Sequence, residues 1–347
     1  MKAAILKQYG KIEWDNVPTP EISPQQVLIK IKYASICGSD QHIFKGDFHP
    51  RTKLPLIPGH EFAGEIVEVG SMVQNYKKGD HVAVDPIIWC GKCPACKIGH
   101  YPACTSLKLV GIDLDGGFGE YIAVEEQMLY KTGGHIPFTY AALIEILSVG
   151  FHACNRAGVA PQNTIAVWGA GKVGQSILQA AHTKTENLIF MVDPIADRLK
   201  IAQRNYSNIV TINPYETDPV ETIMKHTKGK GVDIAFEAVG HARFIEGRHN
   251  PVRSCINAIR GAGTVCVLGL GDEPSPLVMK ELIWKEAKIV ASRVSHGEFV
   301  ETIKQLDAGK LKPDALISDI VPASEAQQSF ELLEKEPEKH LKILLEF

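Results

Sequence analysis

Residues 165–182 limit most strictly what this chain can fold into. The apolar run Ile165–Trp168 leads straight into Gly169, Gly171 and Gly174, spaced G-x-G-x-x-G with Lys172 and Val173 inside the motif, and then into the helical stretch Gln175–His182. In that order, the first glycine permits a tight turn, the second lets backbone approach a pyrophosphate, and the third lets helix and strand pack closely. The helix start then offers its free N–H groups to the phosphates. Gly169, Lys172, Val173 and their neighbours are therefore expected to bind a dinucleotide. Nineteen residues past Gly174, Asp193 closes the second apolar run. A carboxylate there accepts both ribose hydroxyls and repels a 2′-phosphate, which predicts NAD rather than NADP. Arg198 is a further cofactor-site candidate, paired with a 2′-phosphate, stacked on adenine or simply solvated.

The same rhythm continues on both sides of the motif. Six apolar runs, Thr164–Trp168, Leu188–Val192, Ile209–Ile212, Val232–Phe236, Thr264–Leu268 and Ile289–Ala291, alternate with helical stretches, and this predicts an α/β fold with a doubly wound parallel sheet. The first 149 residues read differently, as short alternating runs (Val27, Ile29, Ile31, Tyr33; Val82, Val84) broken by Pro and Gly, and predict irregular β structure. After Arg293 come Phe299, Ile303 and Leu306 at helical spacing, a helix around Gln327–Leu333, and a final strand Ile343–Leu345. With 347 residues, two domains are expected. The polar stretch 241–250, with Arg243 and Arg248, reads as a solvated loop.

Lys plus Arg is 37 against 40 for Asp plus Glu, a net charge of −3, so no basic field exists to hold nucleic acid or an anionic membrane surface. No run approaches the roughly 20 apolar residues of a membrane span, and Met1–Gly10 is too short an apolar run for a secretory leader. A cytosolic location is expected, and with it eight cysteines whose spacing speaks of metal or catalysis rather than disulfides.

Cys90, Cys93, Cys96 and Cys104 supply four soft thiolates within fifteen residues. That set suits a closed tetrahedral zinc of structural type. Cys37, His60, Glu61 and Glu145 form a looser set, in which a thiolate, an imidazole and one carboxylate leave a fourth position open, the pattern of a catalytic zinc. Cys154, nine residues past Glu145, reads as core.

Taken in order, Cys37-Gly-Ser-Asp-x-His42, Gly59-His60-Glu61, the four-cysteine lobe, Gly116-Gly117-Phe118-Gly119-Glu120-Tyr121, Glu145 and the late glycine motif resemble the zinc-dependent medium-chain alcohol dehydrogenase family over essentially the whole chain. Within it the sequence is most similar to the polyol branch: sorbitol, threonine, butanediol and L-gulonate, L-idonate or L-galactonate 5-dehydrogenases. The resemblance implies a Rossmann doubly wound parallel sheet, residues 150–290, inserted into a GroES-like, mainly β catalytic domain of residues 1–149 and 291–347, with a structural zinc lobe at 88–105. It implies two zinc ions per chain, NAD, a small-molecule alcohol substrate and a homo-oligomer, dimer or tetramer. Ile146 stands where the family usually carries Pro, and whether Glu61 or Glu145 binds zinc while the other holds water is left open by the sequence.

The reaction so implied is hydride transfer between a secondary alcohol and the nicotinamide, with zinc acting as a Lewis acid on the alcohol. Ser39 would accept the hydroxyl proton, the nicotinamide ribose and His42 would carry it to solvent, and Asp40 would orient His60. Arg293, just past the last Rossmann strand, is expected to bind hydroxyls or a carboxylate of the substrate. Two other readings compete: a regulatory protein that keeps the dinucleotide fold without catalysis, and a zinc-ribbon nucleic-acid binder, which the acidic balance opposes.

Overall fold

A computed structural model describes residues 1–240, 250–271 and 274–347. The chain divides into two compact units, one of residues 1–145, 299–307 and 316–347, the other of residues 146–298 and 308–315. The polar stretch 241–250 lies outside the described residues except for Asn250, which caps the helix Pro251–Ala258 by accepting from Arg253 N–H.

The second unit is built on a six-stranded sheet whose described pairings are all parallel. Edge to edge the strands are Ile209–Ile212, Ile189–Val192, Ile165–Trp168, Val232–Glu237, Ile259–Val267 and Lys288–Ala291. Numbered along the chain, this is the order 3-2-1-4-5-6, which reverses direction between the first and fourth strands. Central strands buried on both faces need continuous apolar sequence, and Ile165–Trp168 and Ile189–Val192 are buried throughout. The fifth strand begins at Ile259, five residues ahead of the expected Thr264; its early part, Arg260–Gly263, is exposed up to Gly263 and carries too little apolar sequence to read as a strand.

In the first unit a seven-stranded sheet runs Ile317–Pro322, Lys342–Glu346, Gln26–Ser35, Glu61–Val69, His81–Val84, Leu129–Lys131, with Tyr121–Glu125 also pairing Gln26–Ser35. The C-terminal strand thus lies against the strand that leads to Cys37. Ser35 pairs with Glu61 on one side and Leu344 on the other. The helix Phe299–Asp307 belongs here because its apolar stripe, Phe299, Ile303 and Leu306, packs with Ala63, Ala83, Ile136 and Ile144.

Candidate active site and cofactor site

The helix Gly38–Lys45 starts at Cys37, whose extended backbone makes it the N-cap. Asp40, in the first turn, reaches back so that Oδ2 accepts from Cys37 N–H at 2.8 Å, half of a capping box. Its other oxygen, Oδ1, lies 3.3 Å from His60 Nδ1, without well-formed hydrogen-bond geometry, and Asp40 is fully buried. One carboxylate therefore fixes the backbone of Cys37 and faces the ring of His60. Glu61 follows as the first residue of the strand Glu61–Val69, and the metal-binding atoms of Cys37, His60 and Glu61 all lie within 4.8 Å of one another.

Glu145 is outside that group. It sits in the first turn of the helix Ile144–Ala157, close enough to sense the charge of Glu61 and His60. Burial, reinforced by the Glu61 carboxylate, pushes its pKa up to about 8. Burial also works against charge on His60, but Asp40 and Cys37 outweigh it and hold the imidazole well above its ordinary range.

Lys342 was not anticipated. Its ammonium donates to both oxygens of Glu61, and both side chains are fully buried. Burial alone would push the Glu61 pKa up, yet Lys342 and His60 bring it below the usual carboxylate value. Lys342 shares a sheet face with Leu344, two residues on, and Leu344 is the partner of Ser35 beside Glu61. The available sequence signal was a lysine immediately before the apolar run Ile343–Leu345, where it opens the final strand Lys342–Glu346; its partner 281 residues away was not readable.

A thiol, an imidazole and a carboxylate gathered in a mostly buried cluster with further acids around it suit a divalent cation that prefers mixed S, N and O donors. The residues present therefore fit zinc. Ser39 and His42 lie on the same helix, three residues apart and so on one face. Arg293 is exposed on the second unit, in the loop after the strand Lys288–Ala291.

The four sulfurs of Cys90, Cys93, Cys96 and Cys104 form the other group within 4.8 Å. Backbone N–H groups point at the sulfur atoms: Cys90 N–H to Cys104 Sγ at 3.3 Å and Cys93 N–H to Cys90 Sγ at 3.4 Å. Such donors, chiefly Cys96 and Thr105 N–H, draw the Cys93 thiol down to about 6. Cys154 is fully buried, and burial raises its pKa far above the thiol range.

In the second unit Gly169 has φ +95°, open to glycine at low cost, and a Cβ there would meet Ala238 O at 2.8 Å. That contact joins the loops after the first and fourth strands, where the strand order reverses. A Cβ on Gly174 would lie 1.7 Å from Gly169 O, so the helix can pack only on a glycine. Gly171 is the N-cap of the helix Lys172–His182, and the first atom its Cβ would meet is Arg198 Nη1 at 3.7 Å, which leaves an open cradle over the helix start. Asp193 accepts from Ala170 N–H at 2.7 Å and Ile195 N–H at 2.8 Å, so the acid is tied to the glycine loop itself. Glu237, which ends the fourth strand, accepts from Val239 and Gly240 N–H and shapes the facing loop.

The family model described as alcohol dehydrogenase GroES-like domain matches residues 23–134, and that described as zinc-binding dehydrogenase matches residues 173–308. Sorbitol dehydrogenase of Bacillus subtilis (strain 168) is 32% identical over 95% of this chain and 93% of its own length. The chain belongs to the zinc-type medium-chain alcohol dehydrogenase family, in its polyol branch. L-threonine 3-dehydrogenase of Pyrococcus furiosus is 34% identical over 95% of this chain and 94% of its own length. Among solved structures, rspB from Escherichia coli CFT073, complexed with NADH, superposes with a TM-score of 0.90 at 28% identity, covering 100% of this chain and 99% of its own. A zinc-binding dehydrogenase from Sinorhizobium meliloti 1021 bound to NADP gives 0.91 at 26% identity, with 100% and 99% covered. This medium-chain dehydrogenase is an NAD(P)-dependent alcohol dehydrogenase with a GroES-like and a Rossmann domain. Among the described residues no helix is long and apolar enough to cross a membrane.

Proposed function

We propose that the chain is an NAD-dependent dehydrogenase that oxidises a secondary hydroxyl of a polyol or sugar acid, with Cys37, His60 and Glu61 holding a catalytic zinc and the four cysteines of the lobe a structural one. The observation that carries the reading is the meeting of Cys37, His60 and Glu61 within 4.8 Å. When bound, zinc would supply Lewis-acid polarisation of the alcohol and the dinucleotide the hydride-accepting ring. The chain's own residues do the rest. Asp40 orients His60 and leaves Nε2 as the nitrogen that would bind a metal, Lys342 steadies Glu61, and Glu145 would hold a water. Ser39 and then His42 take the proton outward. Lys172, Val173 and the glycine loop bind the pyrophosphate, and Asp193 selects NAD by accepting the ribose hydroxyls, with Arg198 beside it. Arg293 binds substrate hydroxyls or a carboxylate. Eight free cysteines agree with a reducing, cytoplasmic setting.

A homo-oligomer is part of the proposal. Lys288–Ala291 is an edge strand, and Leu270, Met279, Ile283 and Trp284 near it in sequence are exposed, the kind of apolar surface that a second copy covers. The name L-threonine 3-dehydrogenase among relatives and 2R,3R-butanediol dehydrogenase among similar solved structures keep a threonine- or butanediol-type substrate as the second reading. The test is NAD and NADP reduction with sorbitol, L-gulonate, L-idonate, L-threonine, 2,3-butanediol and ethanol, together with zinc analysis and light scattering. Two zincs per chain, a preference for NAD, turnover of a polyol or sugar acid and a raised KM in Arg293→Ala are expected. A preference for ethanol over every polyol and sugar acid, or for NADP in the native protein, sinks the corresponding part.

A further inference from the structure

The helix that carries Cys37, Ser39 and Asp40 ends in a way that fixes His42. Gly46, with φ +89°, turns the chain left-handed; its N–H donates to Ile43 O at 3.0 Å, and the next N–H, of Asp47, donates to His42 O at 2.9 Å. This pair of bonds is a Schellman motif, which brings the residue after the glycine back beside the one five positions earlier. An apolar contact usually joins the two. Here the carboxylate of Asp47 meets the ring instead, with His42 Nδ1 to Asp47 Oδ2 at 2.7 Å. Phe48 then stacks on the imidazole, with ring centroids 5.8 Å apart and planes 17° from parallel. Backbone, carboxylate and aromatic face from three consecutive residues hold one histidine.

His42 and Asp47 are 44% and 50% exposed, and an exposed pair of this kind adds little to stability. Its consequence lies in the proton. An ionised carboxylate has acceptors only, so the neutral ring must carry its hydrogen on Nδ1 for the contact to be a hydrogen bond. That leaves Nε2 as the free lone pair, and among the described residues no hydrogen bond to His42 Nε2 is made.

We propose that Asp47 is a positioning residue for the proton relay: it fixes neutral His42 as the Nδ1–H tautomer and presents Nε2 as the acceptor. A proton arriving from the Ser39 side binds Nε2, giving an imidazolium whose Nδ1–H stays on Asp47, and the same nitrogen releases the proton to water. The inference rests on the reading of His42 as relay, and the experiment separates the two.

The zinc-loaded full chain, labelled with nitrogen-15 histidine, is compared as wild type, Asp47→Ala and His42→Ala, the last assigning His42 by its missing resonances. Wild type shows the Nδ1–H tautomer at His42, and Asp47→Ala shows a mixture of both. A ring that stays in the Nδ1–H tautomer without Asp47 overturns the proposal. In turnover with NAD and the fastest alcohol of the panel above, Asp47→Ala lowers kcat by about 5–10-fold with KM unchanged, part of what a general base contributes. The double variant is no slower than His42→Ala. Losses that multiply in the double variant overturn the proposal, because Asp47 would then act apart from His42. If His42→Ala leaves kcat unchanged, the relay reading itself falls, whatever the tautomer.

Discussion

The four-cysteine lobe and the Cys37–His60–Glu61 cluster each bring their donors within 4.8 Å, and they reach that density by opposite means. The lobe draws on fifteen consecutive residues, a four-residue helix Pro94–Lys97 with no buried side chain, and an Ile98 that is 80% exposed. Short-range backbone hydrogen bonds and the stacking of Trp89 on Tyr101 hold it rather than a buried apolar core, so a metal bound by its sulfurs would add directly to its folding energy. The cluster draws on separate segments of the chain and is largely buried. Its donors are held before any metal arrives, Cys37 by Asp40 and Glu61 by Lys342. On the proposed reading a metal folds the first region, and the fold builds the second.

The largest effect that could break this contrast comes from deleting one sulfur on each side. Cys37→Ser should lower turnover by ~1000-fold or more, the several kcal/mol that a Lewis acid supplies, remove half the zinc, and leave the thermal midpoint within about 2 °C. Cys93→Ser should remove the other half and lower the midpoint by more than about 5 °C. Metal analysis beside calorimetry decides it. Equal loss of stability in the two variants would end the division of labour.

Lys342→Met comes next. It removes the ammonium that both Glu61 oxygens accept from and leaves the buried carboxylate only His60 as a neighbouring cation, a change that costs about 3–5 kcal/mol. Chelated protein should show this loss in urea unfolding, and adding Glu61→Gln should recover much of it, since the two charges act as a pair. A Lys342→Met protein as stable as wild type when chelated would mean that the cluster is not preassembled by charge.

The same contrast explains what could be read in advance. The glycine loop and the cysteine lobe each lie within one stretch of chain, where spacing alone carries the chemistry. The parallel sheet was legible because Ile165–Trp168 and Ile189–Val192 are apolar throughout and Val232–Phe236 is broken only by Asp233, whereas the order of the strands left no mark in the sequence. Lys342 escaped because a pairing across 281 residues leaves no local trace. The amphipathic spacing of Phe299, Ile303 and Leu306 gave the helix but not the core it packs on, so the unit boundaries differ from the expected 149 and 291. Asp47 carries no sequence mark of its contact with His42, because the left-handed turn at Gly46 is what folds it back onto the ring.

The smallest effect sharpens the contrast without removing a donor. Asp40 presents one oxygen to Cys37 N–H and the other to His60 Nδ1. In Asp40→Asn the amide oxygen can keep the first contact while its NH2 faces the ring. A donor there favours the tautomer with hydrogen on Nε2, the nitrogen needed for metal, so zinc affinity at the cluster should fall ~10–100-fold, the usual cost of a lost partner behind a metal ligand. The lobe has no matching lever. Its sulfurs are aimed by main-chain N–H groups, that of Lys92 among them, and Lys92→Ala keeps the main chain. Zinc competition against a chromophoric chelator should therefore show a weakened catalytic site in Asp40→Asn and an unchanged lobe in Lys92→Ala. Wild-type affinity in Asp40→Asn would show that the ring of His60 is held by packing alone, and the cluster would then owe less to its buried charges than Lys342 and Asp40 together imply.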